Sequence, residues 1–472
     1  MLLALAFTAW IWHPAEVRTK SDRVVKVFGV GAAADGEGLV LGVAGHELEG
    51  ILEAIETGLD EKGDPRPVRM LWIQSANPIA NMGQDAPRLY RALKTIDFVV
   101  VEDLFITPTA VAFADLVIPC AMSPERDCLR VWFDPLRTLT KACSQYGECK
   151  SDEEVIVWLG NRLNPELFNK RWPDIDHFIQ DYLDTGFNIY DPETGKSYKS
   201  AGRSKAGMVE IEDAHTEYWN HADGECSFAA LVQKGGYEYD EFNDTYEKFA
   251  KGMLRSDGTP GFATPSGRIE LVPYATFGAW GIDPWPKHHE SIHTYKWLHE
   301  PEFRKEYPFI CINGSRSYEF FHSEHRQLET MREFHPWPLV TMHPDTAAEY
   351  GIEDGDWVCI ENPLGKAIEK AQVTPTVDPR VIHAQHGWWY PEQDAETPNL
   401  NGVWKSNINS LVPHYAIGRI GFGAPFKNVL CKIYKVDGLD ALGTLDPDSP
   451  EGAIGTDPSS FVAEAVATGQ EA

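Results

Sequence analysis

The sequence predicts an α/β domain followed by β structure: a doubly wound parallel sheet, an irregular segment, and a compact C-terminal β-barrel. Three observations predict it. Short apolar runs alternate with helix-period stretches from residue 46 to 164, the pattern of a parallel sheet covered by helices. Residues 165–307 are rich in Tyr, Trp, Asp and Gly and keep no period, as in "GGYEYDEFNDTYEKF". From 308 to 436, short strand-like runs punctuated by Gly, Pro and Asp surround one small helix, which suits a barrel.

Taken in order, "MLLALAFTAWIW" opens the segment 1–45 and stops at His13-Pro14, too short a run to cross a bilayer. No Lys or Arg precedes Arg18, so a secretory leader is not indicated, and the stretch is expected to be a buried part of an N-terminal remnant. In "HELEGILEAIETG", Leu48, Ile51, Leu52 and Ile55 recur at helical spacing and Gly58 is a stop. "PVRMLWIQSANP" reads as a buried strand feeding a polar loop, "QDAPRLYRALKT" as a helix, "DFVVVED" as a strand, "TPTAVAFA" as a helix and "DLVIP" as a strand. "SDEEVIVWLGNRL" is a helix with Ser151 at its cap and Glu154 closing a capping box. "PSGRIEL" is a turn entering a strand. In the last domain "FICING" and "PLVTMH" are strands and "PDTAAEYG" a short helix closed by Gly351. "EDGDWVCIENPLGKAIEKAQVTPTVDPRVIHAQHG" is strand, turn, strand, turn, strand.

At 472 residues the chain has room for two or three domains and sizeable cores. Its net charge of −29 repels phosphate backbones, which excludes nucleic acid as a partner and requires a local basic cluster for any anionic ligand. Part of that acidity lies in the solvated tail 437–472. The eight cysteines include no C-x-x-C pair, so neither a zinc ribbon nor an iron–sulfur run is present, and buried free thiols are expected. No stretch after the N-terminus is long and apolar enough to span a membrane.

Four clusters carry chemistry. Ligands of doubly wound sheets sit beyond the carboxyl ends of the strands. The polar residues there are Ser75, Asn77, Glu102, Asp103 and Thr107, with no G-x-G-x-x-G for an ordinary nicotinamide dinucleotide. A carboxylate at such an end can accept from a guanine edge, although Asp103 and Thr107 equally suit helix capping. The second cluster is "PSGRIEL", by itself only a hairpin signal. The third, "INGSRSYEFFHSEHRQL", packs Ser315, Arg316, Ser317, His322, His325 and Arg326 into one loop. In so acidic a chain this is where an anion would bind, since guanidinium forks onto phosphate. The rival readings are a polar surface loop and a zinc site at His322 and His325, which lacks a third ligand nearby. The fourth is "HGWWYPEQDAETPNLNGVWKSNINSL" from His386. Trp gives a flat stacking face, and Asn amides suit a heterocycle with donor and acceptor edges. No nucleophile triad is readable, because Ser123 and Ser266 lack the G-x-S-x-G elbow.

Together these clusters resemble the C-terminal half of the molybdopterin oxidoreductases of the dimethyl sulfoxide reductase family. The likeness runs from about Arg69 to Val436 and rests on Asn77-Pro78, "VVEDLFITPTAVAFADLVIPCA", "GFATPSGRIEL" and, most strongly, the run from His343 to Trp389. It implies that 46–164 is a dinucleotide-binding α/β domain and that 308–436 is a molybdopterin dinucleotide-binding double-psi barrel. It further implies a bis(molybdopterin guanine dinucleotide) cofactor with molybdenum or tungsten. One dinucleotide would meet Ser75, Asn77, Glu102, Asp103 and Thr107. The other pterin arm would meet Ser315, Arg316, Ser317, His322, Arg326, His386, Gly387, Trp388, Asn407, Asn409 and Lys427.

Family members usually begin with a cysteine motif for a 4Fe–4S cluster and then supply a Ser, Cys, selenocysteine or Asp ligand to the metal. Neither region is found here, so no metal ligand or catalytic base is nominated in this chain. The resemblance implies a small-molecule substrate and a partner, either the N-terminal half or an iron–sulfur electron-transfer subunit. The aromatic insertions are closest in character to the acetylene hydratase, transhydroxylase and catechol dehydroxylase group. The alternatives are a non-catalytic molybdopterin-binding protein and an inactive truncated gene product.

Overall fold

A computed structural model of the chain describes residues 48–59, 67–81, 86–130, 137–179, 246–255, 257–272, 274–279, 292–315, 317–413, 426–427 and 429–443, with short stretches elsewhere, among them 40–41, 188–191, 196–200 and 208–210. These fall into two compact units, residues 14–118 with 289–472, and residues 119–288. Among the described residues no helix is long and apolar enough to cross a membrane.

The first unit begins with a four-stranded sheet in the order β1 (Val40–Leu41), β2 (Met70–Gln74), β3 (Phe98–Asp103), β4 (Leu116–Pro119). β1 and β2 run parallel, as do β2 and β3, with Trp72 opposite Val100. Between them come helices α1 (Leu48–Thr57), α2 (Pro78–Asn81), α3 (Ala86–Leu93) and α4 (Pro108–Phe113). On one face Leu71, Ile73, Val99 and Val101 pack with Leu52 of α1 and Leu89 and Leu93 of α3, and on the other face Met70 and Val100 are buried too, which is why continuous apolar runs form strands here. Each such side chain contributes about 1.5–3 kcal/mol when fully buried. Helix α4 starts where Thr107 accepts from the Ala110 N–H, with Pro108 at the first helical position, so the strand-to-helix turn is written locally.

In the second unit, helix α5 (Asp152–Leu163) has the expected capping box. Ser151 Oγ accepts from Glu154 N at 3.1 Å and Glu154 Oε2 accepts from Ser151 N at 2.8 Å. Val157, Phe168 and Trp172 form a small core against it. The stretch 165–307 is not irregular throughout: Asn188–Asp191, Lys196–Ser200 and Met208–Glu210 form a three-stranded antiparallel sheet. The "PSGRIEL" stretch makes its turn, with Gly267 at φ 68°, but no strand follows. Ile269 and Leu271 are 67% and 90% exposed, and a strand needs a neighbouring edge that the described residues do not supply.

The rest of the first unit is a closed six-stranded barrel made of β5 (Phe309–Ser315), β6 (Leu339–Met342), β7 (Trp357–Asn362), β8 (Gly365–Val373), β9 (Val381–Gln385) and β10 (Val429–Lys435). Its closed order is β5-β9-β6-β8-β7-β10. Two pairs are parallel, β5 with β9 and β6 with β8, and the other four are antiparallel. Val340, Met342, Val358, Ile360, Ala367, Ile382, Ala384 and Ile433 fill the interior. Helix α6 (Pro344–Glu349) follows β6 and is closed by Gly351 at φ 65°. At the β7–β8 hairpin Asn362 Oδ1 accepts from the N–H groups of Leu364 and Gly365, both at 2.9 Å, the side-chain turn that the "NPLG" sequence predicts.

Sheet and barrel share an apolar seam within this unit. Trp389, Leu400, Val403 and Trp404 pack on Ile79, Ala80, Ala86 and Tyr90 of α2 and α3. The Tyr90 and Trp404 rings meet edge to face at 5.7 Å.

Candidate functional site

Strands β5 and β9 lie side by side and parallel, with Ser315 opposite Gln385, so the segments that follow them emerge at one rim of the barrel. There Ser317, Phe320, His322, Arg326, Gln385, His386 and Trp388 line a small, partly enclosed pocket. Gly387 allows this approach: its φ is 75°, and a Cβ added there would lie 2.7 Å from the His322 carbonyl oxygen. His322 and His325 are themselves at φ 52° and 70°. That backbone costs a non-glycine residue about 1–2 kcal/mol, so the loop is held by what it touches.

Three contacts hold it. Trp389 Nε1 donates to the Ser323 carbonyl at 2.9 Å and Asn81 Nδ2 donates to Ser323 Oγ at 3.0 Å. His322 Nδ1 lies 2.8 Å from His386 Nε2, one N–H···N hydrogen bond between the two rings. Gln385 Oε1 accepts from Leu339 N, Trp388 Nε1 and, at 2.9 Å, His335 Nε2.

The charge at the centre is Arg326, 3% exposed. Its guanidinium donates to the carbonyls of Glu324 and His386 and sits 4.2 Å from the Phe320 ring and 5.0 Å from the Trp388 ring. It has no carboxylate within ion-pair distance among the described residues, and its Nε has no hydrogen-bond partner there. Burial, together with repulsion from Arg332, brings its pKa down to about 9. Arg332 is itself paired with Glu392 at 2.9 Å. A desolvated guanidinium facing a pocket, with rings and carbonyls around it and no carboxylate in ion-pair contact among the described residues, is suited to an anion.

Of the residues nominated from sequence, Ser317, His322, Arg326, His386 and Trp388 line this pocket. Gly387 enables it, and Arg316 lies outside the described residues. Ser315 is the last residue of β5. Lys427 Nζ donates to the Asn313 carbonyl at the same strand end. Asn409 accepts from Asn313 Nδ2 at 2.6 Å, and its own Nδ2 has no partner among the described residues. Asn407 is fully buried and donates to the Ile79 carbonyl at 2.7 Å, away from the pocket lining. Trp388 and Trp389 are 1% and 2% exposed, so both are mainly packing residues, and Trp388 alone reaches the pocket wall.

At the sheet's carboxyl edge Ser75 is exposed with φ 47°, and its N–H donates to the Glu102 carbonyl. Asn77 is buried; its Oδ1 accepts from Thr109 Oγ1 at 2.7 Å, and its Nδ2 lacks a partner among the described residues. The Glu102 carboxylate is buried and accepts from Trp72 Nε1 at 2.9 Å. Asp103 and Thr107 cap backbone N–H groups, the local role that their spacing also allowed. Through Asn81 and Ser323 this edge connects directly to the pocket loop. The zinc alternative is not built: His325 turns to Glu324 at 3.8 Å, and no three-ligand group among the described residues includes either histidine. Gln385 and Arg332 were not nominated; each looks like an ordinary strand or helix residue, and only the fold brings them to Trp388.

Residues 288–430 match the molydopterin dinucleotide binding domain. Beyond that domain the chain is similar to members of the dimethyl sulfoxide reductase family. It is 30% identical over 413 residues to a dopamine dehydroxylase of Eggerthella lenta, which covers 79% of this chain and 38% of that protein. It is 33% identical over 335 residues to the acetylene hydratase of Syntrophotalea acetylenica, covering 70% and 38% of the two chains. A dimethyl sulfoxide/trimethylamine N-oxide reductase of Rhodobacter capsulatus is 26% identical over 380 residues, covering 79% and 42%. The solved structure of acetylene hydratase from Pelobacter acetylenicus superposes with a TM-score of 0.62 over 82% of this chain and 46% of that one, at 24% identity, which supports the fold. The chain spans about two fifths of the length of the curated relatives it matches. Two of these relatives come from the group that the aromatic insertions favoured.

Proposed function

We propose that this chain is the cofactor-clamping portion of a molybdenum or tungsten oxidoreductase and holds a bis(molybdopterin guanine dinucleotide). The observation that carries this reading is Arg326, a buried guanidinium that lines a pocket and has no carboxylate partner among the described residues. A phosphate arm would supply the missing charge, and Ser317, His322 and His386 would supply further hydrogen bonds. The unspent amide of Asn77 and the exposed Ser75 support a second contact at the sheet edge, tied to the first by Asn81 and Ser323. The parallel pairs β5–β9 and β6–β8 within a closed six-stranded barrel support the double-psi form. When bound, the cofactor supplies the redox metal. The residues of this chain bind it, orient it and keep water from it. The metal ligand, the 4Fe–4S cluster and the catalytic base are then contributed by an N-terminal portion or partner subunit, in keeping with the two-fifths span.

Arg326→Met tests the reading, because it separates binding from packing. Methionine fills similar space and relieves an unpaired buried charge, so the ligand-free variant should be more stable by about 1–4 kcal/mol. The same variant should bind inorganic pyrophosphate at least about tenfold more weakly, since hydrogen bonds to charged groups contribute about 1.5–3 kcal/mol. Calorimetric titration beside thermal melts reads both. Equal pyrophosphate affinity in the two proteins would remove Arg326 from the site.

A further inference from the structure

Gln385 ends β9, is 6% exposed and lines the pocket. Its carboxamide offers an accepting oxygen and a donating NH2 group. The partners fix which end is which. Leu339 N lies 3.0 Å and Trp388 Nε1 3.2 Å from the same carboxamide atom. A backbone amide and an indole only donate, so that atom is the oxygen, Oε1. His335 Nε2, 2.9 Å from it, then carries its proton as well. Three N–H groups thus converge on one oxygen, from β6, from the segment after β9 and from the end of the helix Glu329–Phe334. Turning the carboxamide over would set N–H against N–H at all three contacts, so its orientation is locked.

What is left is Nε2. It makes no hydrogen bond among the described residues. Nor is it one of the sealed, unpartnered polar atoms, as Arg326 Nε and Glu369 Oε1 are. Trp388 ties this donor to Arg326: its Nε1 is held by Gln385, and its ring lies 5.0 Å from the guanidinium. The main chain ties them again, since Arg326 Nη2 donates to the carbonyl of His386, the residue after Gln385. Glu369 Oε2, on β8, accepts from Gln385 N at 3.1 Å and steadies that main chain.

We propose that Gln385 is a second, pre-oriented donor of this pocket, its Nε2 donating to an oxygen of the anion that Arg326 attracts. This rests on the anion-site reading of Arg326. Guanidinium and carboxamide nitrogen are both pure donors, so the ligand atom they share is an acceptor oxygen without a proton, as a phosphoryl group supplies. The Ser317 hydroxyl rotates to suit its partner, whereas Gln385 loses no rotamer freedom on binding because three N–H groups already hold it.

Inorganic pyrophosphate is the probe. The full chain, carrying isotope-labelled glutamine, is titrated while its side-chain amide signals are followed by NMR, beside calorimetry. The Gln385 pair is assigned by through-bond correlation and by its loss in Gln385→Glu. In the unmodified chain one Gln385 Hε proton should move downfield and exchange more slowly with solvent as the calorimetric site fills, which a purely structural Gln385 would not show. Gln385→Glu keeps an oxygen for the three N–H groups and puts a charged acceptor where the donor was. It should bind pyrophosphate at least about tenfold more weakly. Should that variant misfold, the NMR titration of the unmodified chain decides alone. Calorimetric binding with an unmoved Gln385 amide, or with the same affinity in Gln385→Glu, overturns the contact and leaves the Arg326 site standing. No pyrophosphate binding by the unmodified chain overturns both.

Discussion

Two buried ionisable side chains in this protein have opposite meanings at the residue scale. Arg326 is desolvated but faces a pocket, and its lowered pKa follows from that burial and from Arg332. Glu369 is fully buried in the barrel wall and is not among the residues that line the pocket. Its Oε2 accepts from the Gln385 N–H at 3.1 Å and its Oε1 has no partner among the described residues. Burial raises its pKa well above the usual carboxylate value, partly opposed by that hydrogen bond. A folded-state pKa above the unfolded one means that the folded protein binds the extra proton. Its contribution to stability is therefore complete below the unfolded pKa and is lost as pH rises through the folded one, at up to roughly 1.4 kcal/mol per pH unit. Glu369→Gln keeps an acceptor for Gln385 and removes the titration. The difference in melting temperature between variant and parent should grow in the variant's favour from pH 5 to pH 9. A constant difference would mean that Glu369 stays ionised in the fold.

At the scale of elements, the aromatic stretch after β9 ties the sheet to the barrel. Trp404 is 1% exposed between α3 and the loop that precedes it, and its ring meets Tyr90 edge to face. Trp404→Ala should cost about 3–5 kcal/mol, measured by denaturant unfolding. A cost below about 1 kcal/mol would show that the seam closes without it. The same stretch shows what residue types do and do not disclose. Helices α1, α3 and α5 and strands β2 to β9 follow from periodicity and capping, because those signals are local. Trp388 and Trp389 do not disclose their role, because a tryptophan that walls a ligand and one that seals two packed layers are the same residue in sequence. Asn407 was nominated as a ligand contact, yet it donates to Ile79, a partner 328 positions away. Gln385 was missed for the complementary reason: its three donors come from β6, from the loop after the strand and from His335, none of which a sequence window contains. "RIEL" has strand chemistry but lacks an edge to pair with among the described residues.

On the scale of the whole molecule, the charge of −29 surrounds a pocket whose buried cation is Arg326. A strongly acidic surface repels itself in the folded state, and it also repels any anionic ligand in solution. An exposed basic patch on such a surface would be neutralised by its neighbours, as Lys432 is by Glu306 and Glu361, both at 3.1 Å. Arg326 avoids this because rings and main-chain carbonyls, which carry no net charge, wall it off. Net charge alone argues for a basic cluster, whereas the walling-off of Arg326 is a matter of burial that composition does not disclose. The surface repulsion makes its own prediction. Raising NaCl from about 0.01 M to about 0.1 M shortens the Debye length from about 30 Å to about 10 Å. Long-range repulsion among the excess acids should then weaken, while hydrogen-bonded pairs such as Arg332–Glu392 at 2.9 Å persist. The melting temperature should therefore rise over that range, the opposite of a protein held together by surface ion pairs. A fall would mean that the pairs outweigh the excess charge, and that the acidic surface is a mosaic of local networks.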